Sequence, residues 1–343
     1  MKKNSKIYYA LNNLGTLSLS RFIFLCLYEK DRGYYQKNRI GTDFITAPEI
    51  SQLFGECISI FIASINQRIG NIRDFCELGP GNGTLIKDLS RNLNKLIKEE
   101  LKFFLFEKSS NLTENIKKNI GKINISHLKK LIFPPRPIFF IANEFFDALP
   151  INQFEKTSEG WLERRIDLIE GKLKLILKKN PFFSLKELDG KKGDINEISP
   201  YGTLYLKRVF NHLKEFGGGL LIFDYGPLKK KKADTLQSIF KKKKSYFLNN
   251  PYESDITYHV DFEKIKQQAH QSGLFFYGPI TQKKFLFFNG INERFFKLSR
   301  GLQSSKQLEI LNSQFTRLTN AKGMGDLVKC TLITKKKLKL NFF

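Results

Sequence analysis

Apolar and polar residues follow two different rhythms along the chain. In the first, short apolar runs alternate with longer stretches of helical period. Asn71–Leu78 (NIRDFCEL), Leu101–Glu107 (LKFFLFE) and Pro137–Glu144 (PIFFIANE) have the length and the aromatic and branched content of buried strands, and Leu128–Phe133 (LKKLIF) is a weaker run of the same kind. Between them, Thr84–Glu100 and Asn111–Ile120 repeat apolar residues at helical spacing. Strands alternating with helices predict an α/β fold, a parallel sheet with crossover helices. Gly217–Gly226 (GGGLLIFDYG) adds a core strand, Asp261–Gln271 a helix with Asp261 as its N-cap, and 274–282 and 285–291 two further strand-like runs.

The second rhythm has period two and covers residues 151–180, which predicts an antiparallel meander with a turn at Glu170-Gly171. A Lys- and Asp-rich linker follows, then a helix over 201–216. Pro48 and Glu49 precede Ile50, Leu53, Phe54, Cys57, Ile58, Phe61 and Ile62, a helix with proline in its first turn. The Lys runs 229–232 and 241–244 flank an expected loop, a charged helical tail is expected from about Asn292, and the terminal KKKLKLNFF reads as frayed. Five segments are therefore expected: 1–70, an N-terminal helical extension; 71–150, the first half of the sheet; 151–216, an inserted subdomain; 217–291, the second half of the sheet; and 292–343, the tail.

Composition changes this picture little. The 343 residues carry 58 Lys+Arg against 33 Asp+Glu, a net charge of +25 that nominally suits a nucleic-acid or anionic-surface binder. Yet 45 of those cations are Lys and only 13 Arg, in a chain rich in Phe, Ile and Asn. That is the bias of AT-rich codons, whereas a phosphate-reading surface favours the planar fork of Arg. No apolar run approaches the roughly 20 residues that span a bilayer. The N-terminus resembles neither a signal peptide nor a transit peptide, having no Arg before Arg21. Cys26, Cys57, Cys76 and Cys330 form no C-x-x-C pair and no His lies near them, so no metal site is expected. A bacterial cytoplasmic protein fits best.

Two motifs carry chemistry. Glu77-Leu78-Gly79-Pro80-Gly81-Asn82-Gly83-Thr84 closes the first strand and opens a helix. Glycines there let a ligand approach the backbone, and the helix N-terminus favours anions. The spacing is G-x-G-x-G, not the G-x-G-x-x-G of dinucleotide folds, and Glu77 would repel a pyrophosphate while attracting an ammonium. S-adenosylmethionine, with an ammonium, a sulfonium and no phosphate, is such a ligand. Glu107, ending the next strand, is in place to accept hydrogen bonds from a ribose.

The second motif, Asn143-Glu144-Phe145-Phe146-Asp147-Ala148-Leu149-Pro150, follows the strongest strand, at the edge where open parallel sheets bind ligands. Two acids three residues apart suit a guanidinium, whose forked donors they accept and whose departing proton they draw away. Enzymes that methylate base nitrogens carry an Asn/Asp-Pro-Pro-aromatic turn there, and this chain lacks those prolines. Three further stretches set polar residues in apolar or turn-like surroundings: Thr46-Ala47-Pro48-Glu49, Asp224-Tyr225-Gly226, and the run Ser254–Phe262 containing Asp255, His259 and Asp261. His259 suits a proton acceptor near neutral pH, or a structural His at a helix entry.

In fixed order these strings resemble the MidA-like family, the mitochondrial complex I assembly methyltransferases and their bacterial relatives. They include Gly33-Tyr34-Tyr35, Asp43–Gln52 with Phe54-Gly55-Glu56, and Glu77–Gly83. Further along come Asn143–Pro150, Asp224-Tyr225-Gly226, Asp255-Ile256-Thr257, His259–Phe262 and Met324-Gly325. Thr42, where the family usually has Gly, and the lysine-rich 229–248 depart from its pattern. The resemblance implies a class I methyltransferase, a Rossmann-like and mostly parallel seven-stranded sheet, with S-adenosyl-L-methionine as donor and a protein arginine as acceptor. In bacteria the acceptor would be a subunit of the proton-pumping NADH dehydrogenase.

On this reading Gly79, Gly81 and Gly83 cradle the cofactor with Glu77, Glu107 and Asn143. Glu144, Asp147 and His259 act on the acceptor, and Thr46, Pro48, Glu49, Asp224, Tyr225 and Asp255 line its pocket. Two rivals stay open. One is an RNA or DNA methyltransferase, suggested by the charge although the acids at the strand ends argue against nucleic acid. The other is an assembly chaperone with this fold and no methyl transfer.

Overall fold

The computed structural model describes residues 5–37, 45–121, 123, 125–181 and 189–343. Residues 41–44 of the early motif, Thr42 and Asp43 among them, lie outside the described residues, as does 182–188 of the expected linker. The chain divides into two compact units, one made of Met1–Asn38, Ala148–Tyr205 and Lys231–His259, the other of Arg39–Asp147, Leu206–Lys230 and Val260–Phe343.

The larger unit is built on seven strands: β1 (Asp74–Leu78), β2 (Lys102–Phe106), β3 (Ile125–Leu128), β4 (Ile138–Asn143), β5 (Gly218–Tyr225), β6 (Phe275–Thr281) and β7 (Val328–Thr334). Across the sheet they run β3-β2-β1-β4-β5-β7-β6. The first five are parallel, while β7 lies antiparallel between β5 and β6. Every residue of β1, β4 and β7 is buried, and β4 accordingly reads as a nearly unbroken apolar run and not as an alternation. The strand order reverses between β1 and β4, and a ligand crevice is expected at the carboxyl ends there.

Helices pack on this sheet through regularly spaced apolar residues. Helix α1 (Gln52–Ile69) buries Leu53, Phe54, Cys57, Ile58, Phe61, Ile62, Ile65 and Ile69, and ends at Gly70, whose N–H bonds the Asn66 carbonyl. Each large apolar side chain so buried stabilises the fold by about 1.5–3 kcal/mol. Helix α2 (Thr84–Leu96) follows β1 and buries Leu85, Ile86, Leu89 and Leu93. Asp261 caps the helix Phe262–Gln271, accepting the Lys264 N–H as expected.

The smaller unit contains the meander. Gly160–Ile169 pairs antiparallel with Asn152–Thr157, Lys172–Lys178 and the short Leu17–Ser18, and Ile195–Ile198 extends the sheet beside Asn152–Thr157. Glu170 and Gly171 turn the second hairpin with φ of 53° and 72°, both in the left-handed region that such a two-residue turn requires. The helix expected over 201–216 spans Pro200–Phe216.

Four local expectations are corrected. The run 285–291 is not a strand: Gln282–Phe288 is a helix, started by Thr281, whose hydroxyl accepts the Lys284 N–H. The third strand lies at 125–128, not 128–133, because its register is set by Phe103 and Phe104 of β2. The segment between the lysine runs is a hairpin, Gln237–Phe240 with Lys243–Lys244, turned at Lys241 and Lys242, and it pairs with Asp255–Thr257. The tail holds three helices, Ile291–Ser299, Ser305–Thr319 and the short Met324–Leu327, and then β7 inside the sheet. Its end is packed: the rings of Phe342 and Phe343 each lie 5.9 Å from that of Phe61.

Candidate active site

Strand register assembles the site within the larger unit. Leu78 of β1 lies beside Phe106 of β2 on one side and Ala142 of β4 on the other, and Asn143 lies beside Phe223 of β5. Glu77, Glu107, Asn143, Glu144 and Asp224 therefore share the carboxyl edge of the sheet, at the point where strand order reverses.

The glycine turn is a conformational requirement. Gly79, Gly81 and Gly83 have φ of 67°, 56° and 80°, a region costly for any residue with a Cβ. At Gly79 a Cβ would lie 2.6 Å from the Phe145 ring, so a residue of the second motif packs directly on the first. Gly83 is the N-cap of α2 and provides no side-chain cap, so the helix starts with its N–H groups and positive end turned to the glycine turn.

Glu77 is buried, and its Oε2 has no hydrogen-bond partner among the described residues. Burial pushes its carboxyl up to about 8; the Ile86 N–H works against that and the charge of Glu49 adds to it. Glu107 accepts the Ser109 N–H on Oε1 at 2.7 Å. Burial raises its carboxyl to about 7, opposed by the N–H groups of Ser109 and Lys108.

On the other side of β1, the second motif is held by its acids. Glu144 adopts φ of 48°, strained for a residue with a long side chain. Its N–H donates to the Phe223 carbonyl at 2.8 Å. Its Oε1 accepts the Ala47 N–H at 3.1 Å and Asn143 Nδ2 at 3.3 Å. Asn143 keeps a buried Oδ1 with no partner among the described residues. Asp224 is completely buried; its two oxygens accept the N–H groups of Phe146 at 2.8 Å and Tyr225 at 2.9 Å. Burial raises its carboxyl, and the Glu144 charge pushes the same way against those N–H bonds. The Tyr225 phenol is raised by burial and then by Glu144, Asp147 and Asp224, with Arg317 opposing.

The residues before α1 join this cluster. Thr46 starts the single turn Ala47–Ile50 without a side-chain cap, and Pro48 is buried in it. Glu49 reaches the glycine turn, where its Oε1 accepts Thr84 Oγ1 at 2.6 Å and Asn82 Nδ2 at 3.4 Å. Asp255 and His259 belong to the other unit. There Asp255 accepts the Tyr35 hydroxyl at 2.7 Å. His259 donates its backbone N–H to Thr235 and sets Nε2 3.0 Å from Gln237 Nε2. Sequence reasoning missed Asn82, Thr84 and the Phe145 ring. The signal available for Thr84 was its hydroxyl directly after the last glycine, in the first turn of a helix.

The sheet order, the antiparallel β7 and a glycine turn flanked by acids at the switch point define a class I, Rossmann-like methyltransferase. The chain belongs to the family described as "Putative S-adenosyl-L-methionine-dependent methyltransferase", whose model matches residues 57–280. It is 30% identical to the human mitochondrial protein arginine methyltransferase NDUFAF7, with 93% of this chain and 80% of that protein covered. It is 29% identical to the protein of that name in Xenopus tropicalis, with 94% and 83% covered. A crystal structure from Burkholderia thailandensis bound to S-adenosyl-homocysteine shares the fold, with a TM-score of 0.84, 23% identity, and coverage of 95% of this chain and 90% of that one. Among the described residues no helix is long and apolar enough to cross a membrane.

Proposed function

We propose that the protein transfers methyl groups from S-adenosyl-L-methionine to an arginine side chain of another protein, and that the acceptor is a subunit of a respiratory NADH dehydrogenase. The observation that carries the arginine assignment is the set of acids after β4 and at the end of β5: Glu144, half-buried, with Asp147 and Asp224, both buried. Such a site suits a planar cation and opposes a phosphate-bearing acceptor. The names of the curated relatives support the same acceptor class.

The residues fit the cofactor. Glu77 presents a buried, unpartnered oxygen for an ammonium, the glycine turn holds φ values that favour glycine, and Glu107 directly follows β2, where a ribose would need an acceptor. Asn143, with its own unpartnered Oδ1, completes that set. When bound, the cofactor supplies an electrophilic methyl group on a sulfonium. Glu144 and Asp147 accept the guanidinium donors and hold one nitrogen in line for attack. As the N–C bond forms and the methyl–sulfur bond breaks, its electron pair remaining on sulfur as a neutral thioether, that nitrogen would lose one N–H proton to a carboxylate of the same pair. Asp224 keeps the Glu144–Asp147 turn in place.

Mass spectrometry of arginine methylation in cells with and without the protein tests this. A methylarginine on an NADH dehydrogenase subunit should disappear with the gene. An unchanged methylarginine profile, with methyl groups entering ribonuclease-sensitive material instead, would transfer the assignment to the nucleic-acid rival.

A further inference from the structure

We propose that the turn Thr46–Ile50 is a positioning strap that fixes Glu144 relative to the glycine turn, with Glu49 and Thr84 as the pair through which it acts. This assigns Glu49 to positioning and not to the lining of the acceptor pocket, and it rests on reading the glycine turn as the cofactor site.

The turn is tied at both ends. At its start, the Ala47 N–H is one of the donors a helical turn leaves unsatisfied. Thr46 does not cap the turn with its side chain, and Glu144 Oε1 takes the Ala47 N–H at 3.1 Å. At its other end, Glu49 Oε1 accepts from Thr84 at 2.6 Å and Asn82 at 3.4 Å, the two residues on either side of Gly83. Glu49 thereby places a negative charge at the start of α2, complementing its positive end where Gly83 offers no cap. Between these ties, Ala47 and Ile50 are buried in the same core as α1, so the turn has little freedom to slide. One short turn therefore joins the acid proposed for the acceptor to the loop proposed for the cofactor.

The bond from Thr84 to a carboxylate is charge-assisted and part of a linked set, so its loss should be felt at both ends. Calorimetry with S-adenosyl-homocysteine and initial rates on an arginine-bearing protein acceptor read the two ends separately. Thr84→Val should weaken S-adenosyl-homocysteine binding about tenfold and also lower kcat at saturating cofactor. Thr84→Ser, which keeps the hydroxyl, should restore both. Glu49→Ala, which removes the accepting oxygen, should match Thr84→Val, and the double variant should be no worse than either single one, because the two residues form one interaction. Melting curves identify a variant that fails to fold, and then the other single variant decides. Wild-type affinity and kcat in Thr84→Val and Glu49→Ala would overturn the strap while the cofactor reading stood. A wild-type protein that binds no S-adenosyl-homocysteine would overturn the cofactor reading itself, and the strap with it.

Discussion

Asp224 Oδ2 accepts the backbone N–H of Phe146 at 2.8 Å. The bond joins the end of β5 to the turn carrying Glu144 and Asp147, and the Asp224 carboxyl is completely buried. Its role is to hold that turn, since both its oxygens already accept backbone N–H groups. Asp224→Ala leaves those donors buried and unsatisfied, and should destabilise the protein by about 1–3 kcal/mol. Asp224→Asn keeps one carbonyl acceptor and should cost less. Denaturant unfolding checks the order, and equal stability of Asp224→Ala and wild type would remove this role.

Glu77 makes stability depend on pH. Its folded carboxyl is raised from 4.5 to about 8 by burial, so folding favours the protonated form. The stabilising proton is fully present below 4.5 and is lost as pH rises towards 8. The cofactor-free protein should therefore lose stability through this window, and Glu77→Gln, which cannot ionise, should lack that part of the slope. Melting temperatures of both proteins from pH 5 to about 9 test this: the curves should diverge as pH rises. Parallel curves would show that Glu77 does not carry the proton.

Ligand binding should reverse that preference. An ammonium beside Glu77 stabilises the carboxylate, so binding S-adenosyl-L-methionine near neutral pH should release a proton from a group that the free protein holds protonated. Calorimetry in buffers of different ionisation enthalpy counts that proton. Affinity should rise with pH up to about 8 and then level off. Binding without proton release would place the ammonium elsewhere.

What was legible in the sequence was local or strongly periodic. The strands β1, β2, β4 and β5 announced themselves as short runs built around aromatic and aliphatic residues, with acids only at Asp74, Glu77 and Asp224, and the glycine turn because its spacing lies within seven adjacent residues. The strand β7 was hidden: Val328–Thr334 contains Lys329, Thr331 and Thr334, runs straight into the lysine-rich 335–340, and pairs with β5 from far along the chain. The run 285–291 is apolar enough for either element, and only the cap at Thr281 decides for a helix. The contact of Gly79 with Phe145 and that of Glu49 with Thr84 are tertiary, so no spacing rule exposes them. Lys241 and Lys242 turn a hairpin with left-handed φ, which their residue type would not suggest.

The packing of Phe145 on Gly79 can be separated from the cost of backbone strain. Gly171 has φ of 72° with nothing within 4 Å of a Cβ, whereas Gly79 has φ of 67° with the Phe145 ring at 2.6 Å. Gly171→Ala should cost only the left-handed strain, roughly 1–2 kcal/mol. Gly79→Ala should cost more and also weaken cofactor binding, and adding Phe145→Leu should recover part of the loss. Equal destabilisation by the two alanine variants would mean that the Phe145 ring gives way freely.

Glu107 and Glu144 should divide cofactor binding from turnover. Glu107 directly follows β2, and its Oε1 already holds the Ser109 N–H at 2.7 Å, which fixes the carboxyl at the sheet edge. Glu107→Ala removes the proposed ribose acceptor and should weaken S-adenosyl-L-methionine binding about tenfold or more. Glu144→Gln keeps the shape and an oxygen for the Ala47 N–H, so the strap and the cofactor site persist. It removes the negative charge that orients the guanidinium and draws off its proton, and kcat should fall by about a hundredfold or more. Calorimetry and initial rates on the same two variants read the split. Unchanged cofactor affinity in Glu107→Ala would sink the ribose assignment. Full activity in Glu144→Gln would take that carboxylate out of the mechanism and leave Asp147 as the acid that meets the acceptor.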